Sequence, residues 1–408
     1  MNDFLFARFG REFRKYAAAA SLTAIGNGMH FIAMAWFLYQ ATDTVASVAL
    51  ILIVQTLPGL LFSPWIGVLI DRWSDKWICV TTDVVRGLLL SVLVLAIHLD
   101  TWVVPVIYIS AFLMAVCNAF FQPAVGALIR DISTRESLLN ANIASNVCMQ
   151  IGMLAGSSLG GILVAKFGFL TVIVLNIGSF YVSGALTAWI RLGEGGGTKA
   201  QARAQVRFLE QFRATYTYVR ENQYLLWLAV VQMFGTATLS MCNTLLPAFV
   251  DRELRADAIA FGIIDATWGA GAIVGGLVLA FVARKVSRRH IMLYGPCCLA
   301  LALLVFLTSQ SVLQASLGYF LLAFVICIVR VSTDTDLVTN VDRDYFGKIK
   351  STITMFISYI TLGLYGVLGY LGENLSIRFI LLGLAAVIFC GFLLRLAREM
   401  LGGARRAA

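Results

Sequence analysis

Residues 46–98 read ASVALILIVQTLPGLLFSPWIGVLI, then DRWSDK, then WICVTTDVVRGLLLSVLVLAIH. Two apolar runs flank the six residues Asp71 to Lys76, five of them polar. About 20 consecutive apolar residues carry a helix across the hydrocarbon core of a bilayer. There only helices and closed barrels satisfy every backbone N–H and C=O. Runs this long, joined by a gap this short, predict a hairpin of two membrane-crossing helices with a basic turn.

Working outward, the same pattern fills the chain. Apolar stretches fall at roughly 16–40, 46–70, 77–98, 102–129, 138–165, 168–190, 223–250, 258–283, 290–308, 312–340, 350–371 and 376–394. Every second gap is basic. With the N-terminus inside, the inner segments hold 25 of the 31 Lys and Arg residues and the outer gaps hold 4, Lys166, Arg252, Arg255 and Arg378. This asymmetry puts both termini in the cytoplasm. The fold class read from the pattern is an all-α integral membrane protein with twelve transmembrane helices.

Composition narrows the function classes. The chain is 60% hydrophobic and 13% charged, with a net charge of +9. In a soluble protein such a charge would point to nucleic acid. Here the basic residues act as topology determinants, so no nucleic-acid partner is expected. The first apolar stretch is too long for a signal-peptide core and is kept as a span. The eight cysteines all fall within spans and lack metal-ligand spacing. No disulfide framework, metal site or cofactor follows. No nucleotide-binding loop of the form G-x-x-x-x-G-K-S/T occurs either, and no clustered nucleophile and base suggests an enzyme.

The longest polar segment separates the first six spans from the last six. Residues 1–191 read as an N-terminal six-helix bundle, 192–222 as a cytoplasmic linker, and 223–408 as a C-terminal bundle with a short cytoplasmic tail. The linker opens with the flexible run Gly193 to Gly197. Phe208, Phe212 and Tyr216 recur at a spacing of four, which predicts a short amphipathic helix on the inner membrane surface. The halves look like repeats. The gap Arg72 to Lys76 corresponds to Lys285 to Arg289 at an offset of 213, and Asn118 and Gln122 correspond to Arg330 and Asp334 at an offset of 212. Duplicated halves of this kind bind substrate near the bilayer midplane and rock around it.

Two motifs carry a family resemblance. Gly67 to Lys76 resembles the major facilitator signature G-x-L-x-D-R-x-G-R/K-R/K. Asp71 and Arg72 match, while Ser74 replaces a glycine and Asp75 a basic residue. The run Gly152, Gly156, Gly160 and Gly161 resembles the antiporter signature G-x-x-x-G-P-x-x-G-G, with Ser157 at the proline position. Asp83 to Arg86, Phe120 to Ala124 and Leu138 to Asn142 resemble the bacterial enterobactin-type and macrolide-type exporters. That resemblance implies a bacterial inner-membrane transporter whose spans one, four, seven and ten line a cavity. It also implies gating roles for Asp71, Arg72, Asp83 and Arg86, with substrate contact as the alternative; by their i,i+3 spacing Asp83 and Arg86 can pair.

The polar residues inside spans are the candidate site. Charges within a bilayer cost several kcal/mol unless paired or wet. Arg330 and Asp334 stand four residues apart on one face and can pair, as a cargo or proton switch or as a fixed lock. Asp336 points about 120° away and is read as exposed or pairing at a gate. Asp265 has no basic neighbour within one turn, and is either a proton carrier or a hydrated acid at a cavity mouth. Asn27 and His30 share a face that contacts cargo or protons, unless His30 is a packing residue. Gln232, Thr236, Ser240 and Asn243 form one stripe, and Asn142, Asn146 and Gln150 another, set for a cavity wall or for interhelical hydrogen bonds. Asn118 and Gln122 are assigned to the cavity.

The expected activity is secondary active export in antiport with protons, through Asp265 or Asp334. The cargo is a siderophore or a similar amphiphilic small molecule. A multidrug or macrolide exporter is the alternative, and a lysolipid translocase or a non-transporting receptor remains open. The expected partners are cargo, protons and membrane lipids, with the monomer as the working unit.

Overall fold

In the computed structural model the described residues are 10–70, 73–99, 102–134, 137–192, 223–340 and 343–407. Asp71, Arg72 and the linker residues 193–222, with Phe208, Phe212 and Tyr216, lie outside them. All the regular elements described are helical. They are α1 (Arg11–Thr42), α2 (Val45–Ile70), α3 (Asp75–His98), α4 (Val103–Ile132), α5 (Leu138–Ala188), α6 (Gln223–Ala248), α7 (Ala258–Lys285), α8 (Arg288–Leu307), α9 (Val312–Asn340), α10 (Arg343–Asn374) and α11 (Ile377–Ala407), with a π-helical turn, Phe249–Glu253, after α6.

Ten of these helices are long and apolar enough to cross a membrane. The exception is α1, where Thr23, Asn27 and His30 dilute the apolar run. The 51 residues of α5 would extend about 76 Å at 1.5 Å per residue, against a hydrocarbon core of about 30 Å. Its course breaks at Gly168, with φ 81° and ψ 169°. The two spans expected at 138–165 and 168–190 are therefore two legs of one element, joined without a loop. An added Cβ at Gly168 meets nothing within 4 Å, so glycine is needed there for its backbone alone. Gly168→Ala should cost about 1–2 kcal/mol through positive φ. Thermal unfolding in detergent would show a modest shift, and an unchanged midpoint would mean the kink relaxes.

The chain forms two compact units. The first comprises Met1–Asp43, Leu50–Ala204 and Asp257–Ala266; the second comprises Thr44–Ala49, Gln205–Ala256 and Thr267–Ala408. The first turn of α2 thus groups with the later part of the chain. Its backbone N–H groups at Val45 and Ala46 donate to the Glu373 carboxylate of α10. A helix start leaves such donors unpaired and its dipole favours an anion, so Glu373 answers both demands.

Within the first unit α1 packs along α5, and α3 packs on α4 and α5. The core gathers Phe13, Tyr16, Ile78, Leu128 and Ile129. Small residues let α1 and α5 close up. A Cβ on Gly156 would lie 2.3 Å from the Ile25 carbonyl, and one on Gly160 would lie 2.9 Å from the Met29 Cα. Gly152 faces Ala24 in the same way. Gly161 turns to a different neighbour, where its Cβ would meet the Ala258 carbonyl of α7 at 2.4 Å. The end of α5 is clasped by polar side chains. Lys15 donates to the Trp189 carbonyl at 2.8 Å, Lys76 donates to that of Ile190 at 2.8 Å, and Glu12 accepts the Arg191 N–H at 2.7 Å. Desolvation works to raise the Glu12 carboxyl, but the Arg191 N–H and the Lys15 ammonium outweigh it and hold it below its ordinary value.

In the second unit α8 packs on α9 and α11, and α6 on α10. Leu225, Leu228, Met292, Leu337, Ile349 and Ile353 form a core there. Gly271 and Gly275 of α7 abut the Phe320 and Phe324 carbonyls of α9.

Candidate functional site

Each unit carries a partly open cavity with polar side chains in its wall. The cavity of the first unit, about 630 Å³, is lined from α1, α3, α4 and α5 and includes Thr23, Asn27, Arg86, Asn118 and Gln122. Sequence reading set Asn27, Asn118 and Gln122 in a cavity, and they share this one. Arg86 was grouped with the gating charges; the structure sets it in the same cavity wall.

Arg86 pairs with Asp83 one helical turn away, at 3.3 Å, and both side chains are buried. The second Asp83 oxygen accepts the Ser183 hydroxyl at 2.8 Å. Arg86 also reaches the Asn118 side-chain oxygen at 3.5 Å, to which Gln122 donates at 3.4 Å. The guanidinium lies over the Phe121 ring, 4.4 Å from its centroid. An ion pair buried in this way holds only with further partners, and Ser183 supplies one to Asp83 while Asn118 and Phe121 supply part of what Arg86 needs.

His30 lies outside this wall. Three residues along a helix turn about 300°, so His30 sits about 60° around from Asn27. It is buried, and its Nδ1 has no hydrogen-bond partner among the described residues. Asp265 is not the isolated acid that its sequence neighbours suggest. Its carboxyl is hydrogen-bonded to the hydroxyl of Ser157, the residue at the proline position of the α5 motif. The close approach of Gly161 and Gly262 brings the two side chains together, with a Gly262 Cβ only 2.6 Å from the Ser157 carbonyl.

The cavity of the second unit, about 490 Å³, is lined from α6, α8 and α9 and includes Gln232, Thr236 and Arg330. The expected pairing of Arg330 with Asp334 is not what forms. Asp334 Oδ1 is met by Lys350 Nζ of α10 at 3.3 Å and by Gln232 Nε2 at 3.3 Å. Among the described residues no carboxylate lies within ion-pair distance of Arg330. Spacing along α9 makes the Arg330–Asp334 pair possible, but a cation on a neighbouring helix competes, and Lys350 was not singled out from sequence. Asp336 also departs from expectation. It is buried and accepts the Tyr224 hydroxyl, so of the two expectations for it, exposed or pairing at a gate, the exposed one does not hold.

The polar stripe of α6 divides. Gln232 and Thr236 face the cavity, while Ser240 bonds Tyr365 and Asn243 accepts from Tyr319 at 3.4 Å. In α5, Asn142 and Asn146 turn back to the Leu138 and Asn142 carbonyls of their own helix. Among the described residues no three His, Cys, Asp or Glu side chains gather as a metal-binding group.

Known proteins share this architecture. The nucleoside transporter NupG superposes with a TM-score of 0.75 at 12% identity, covering 95% of this chain and 99% of its own. By sequence, the chain is 26% identical over 299 residues to the multidrug efflux pump Tap of Mycolicibacterium fortuitum, covering 70% of this chain and 71% of Tap. It is 20% identical over 337 residues to macrolide efflux protein A of Streptococcus pyogenes, covering 82% and 80%. Residues 6–402 match the family described as transmembrane secretion effectors. With apolar helices of membrane-crossing length, a transporter fold and a family match along nearly its whole length, the chain belongs to the transmembrane secretion effectors of the major facilitator superfamily.

Proposed function

We propose that the protein is a secondary active efflux transporter that moves amphiphilic, drug-like molecules out of the cytoplasm in exchange for protons. The observation that carries this reading is a polar-lined cavity within each unit of a chain built from membrane-length helices. The efflux roles that Tap and macrolide efflux protein A are named for support a drug as cargo over a siderophore. In this reading α1 and the two legs of α5 complete twelve crossings in two six-helix halves. Both termini face the cytoplasm, the membrane is the bacterial inner membrane, and the monomer suffices.

Asp334 is the preferred proton site. Its carboxylate meets a neutral amide and a half-exposed ammonium, Lys350 being 44% exposed. Solvent screens such a pair, so it is weak and can exchange partners. A proton and a cargo that compete for one carboxylate are enough to couple two fluxes. Asp265 is the second candidate, and protonation would keep its hydrogen bond to Ser157. Arg330, without a carboxylate of its own among the described residues, favours one further reading, in which an anionic metabolite of the siderophore kind is the cargo.

The test is transport in inside-out vesicles under an imposed pH gradient, with a panel of dyes, macrolides and siderophores. Asp334→Asn should lower gradient-driven accumulation about tenfold while leaving gradient-free exchange, since loss of a coupling proton removes drive and not the path. Equal accumulation with and without the gradient in the wild type would overturn proton exchange. Gradient-driven transport that survives Asp334→Asn but fails in Asp265→Asn would move the proton site to Asp265.

A further inference from the structure

We propose that Arg86 recognises cargo in the cavity of the first unit, and that the group it takes is an uncharged carbonyl acceptor such as an ester, lactone or amide. The proposal rests on the efflux reading above and names the chemistry of its cargo.

A guanidinium carries five N–H donors in a planar fork. The contacts of Arg86 use one terminal nitrogen on Asp83 and the other on Asn118, each through a single long hydrogen bond. Donor capacity is left over, and Arg86 lines the cavity although only 3% of it is exposed. Among the residues lining the same cavity, the Thr23 hydroxyl is buried with no hydrogen-bond partner among the described residues. A buried polar group left unpaired costs about 1–3 kcal/mol, and a ligand that satisfies it recovers that cost. Two donors lining one cavity therefore await an acceptor.

The charge balance selects among acceptors. Asp83 is fully buried behind Arg86 and neutralises it. A carboxylate entering the cavity would face that second carboxylate at short range in a poorly screened interior. A cationic group placed against Arg86 would meet the guanidinium's own charge, and Arg86 already covers the face of Phe121. A neutral carbonyl meets neither obstacle. The remaining wall, with Val125, Leu128, Met149 and Met153, suits an apolar body, and thioether side chains adapt to varied shapes.

Three ligands discriminate: a rhodamine methyl ester, the matching rhodamine free acid, and tetraphenylphosphonium, which is cationic without an acceptor. Equilibrium dialysis against the purified full chain gives each affinity. The wild type should bind the ester about tenfold more tightly than the acid. In Asp83→Asn/Arg86→Met, which keeps the site neutral, the ratio of ester to tetraphenylphosphonium affinity should fall about tenfold, the size expected for a charge-assisted hydrogen bond. Arg86→Lys keeps the charge and loses the fork, and should give a smaller fall in the same ratio. It carries the test if the double variant does not elute as a single species on gel filtration. An acid bound as tightly as the ester, or a ratio unmoved in the variants, overturns the assignment. A wild type that binds none of the three overturns the efflux reading and this inference with it.

Discussion

Asp83→Ala should destabilise the protein by about 3–5 kcal/mol, the usual consequence of stranding a buried charge. Arg86 would remain 3% exposed with its counter-ion gone, and Ser183 would lose the oxygen it donates to. Nothing else described around Arg86 carries a negative charge. Asn118 offers only a dipole at 3.5 Å, and the Phe121 ring only its quadrupole. The matched control is Asp83→Ala/Arg86→Met, which removes both charges and keeps most of the volume. Replacement of a buried pair by apolar groups is often neutral, so the double variant should regain most of the loss. Ser183→Ala should cost about 1.5–3 kcal/mol, one hydrogen bond to a charged acceptor that keeps its other partner. Thermal unfolding of the four proteins in one detergent, followed by size-exclusion chromatography, orders them. If Asp83→Ala falls no further than Ser183→Ala, water or a shifted side chain compensates Arg86 and the buried pair is not a stability element.

How much of this was legible in sequence depends on how local each signal is. Apolar runs and basic gaps are local, and the helices follow them closely. The i,i+3 contact of Asp83 with Arg86 is also local, and it forms as the spacing predicts. What the spacing does not show is which way the pair faces, because rotation of α3 is set by its packing against α4 and α5. Arg330 and Asp334 illustrate the opposite error. Their spacing permits a pair, yet Lys350 and Gln232, distant in sequence, hold Asp334 instead. Asp336 and Tyr224 are 112 residues apart, and no periodicity links them. Ser157 and Asp265 were each singled out, one as a departure from a motif and one as a lone acid. Their contact needs the backbone approach at Gly161 and Gly262, which glycine content hints at and only the fold establishes. The break falls at Gly168, the first residue of the span expected at 168–190, because a single glycine at positive φ turns the chain without any polar loop.

Gly156→Leu should prevent α1 and α5 from docking and leave little folded protein. An ideal Cβ at Gly156 lies 2.3 Å from the Ile25 carbonyl and 3.0 Å from the Gly28 Cα. Both are backbone atoms, so no side chain can rotate out of the way. Alanine alone forces the helices apart, and overpacking of this kind costs about 1–3 kcal/mol before any further atoms are added. Leucine adds three more carbons along the same line. Association of helices in a bilayer depends on close van der Waals contact through small residues, with no water-driven term to compensate when they separate. The loss would spread along the seam, because Gly152 and Gly160 share it. Gly178 supplies the internal reference. It lies in the same helix, and an added Cβ there meets nothing within 4 Å. Gly178→Ala should therefore be neutral or slightly stabilising, as alanine is the better helix former by about 1 kcal/mol. The comparison is read from the yield of monodisperse protein and its thermal midpoint. Gly156→Ala should fall clearly below Gly178→Ala, and Gly156→Leu below both. Equal behaviour of the two alanine variants would mean that α1 and α5 sit further apart than the backbone contacts at Gly156 require.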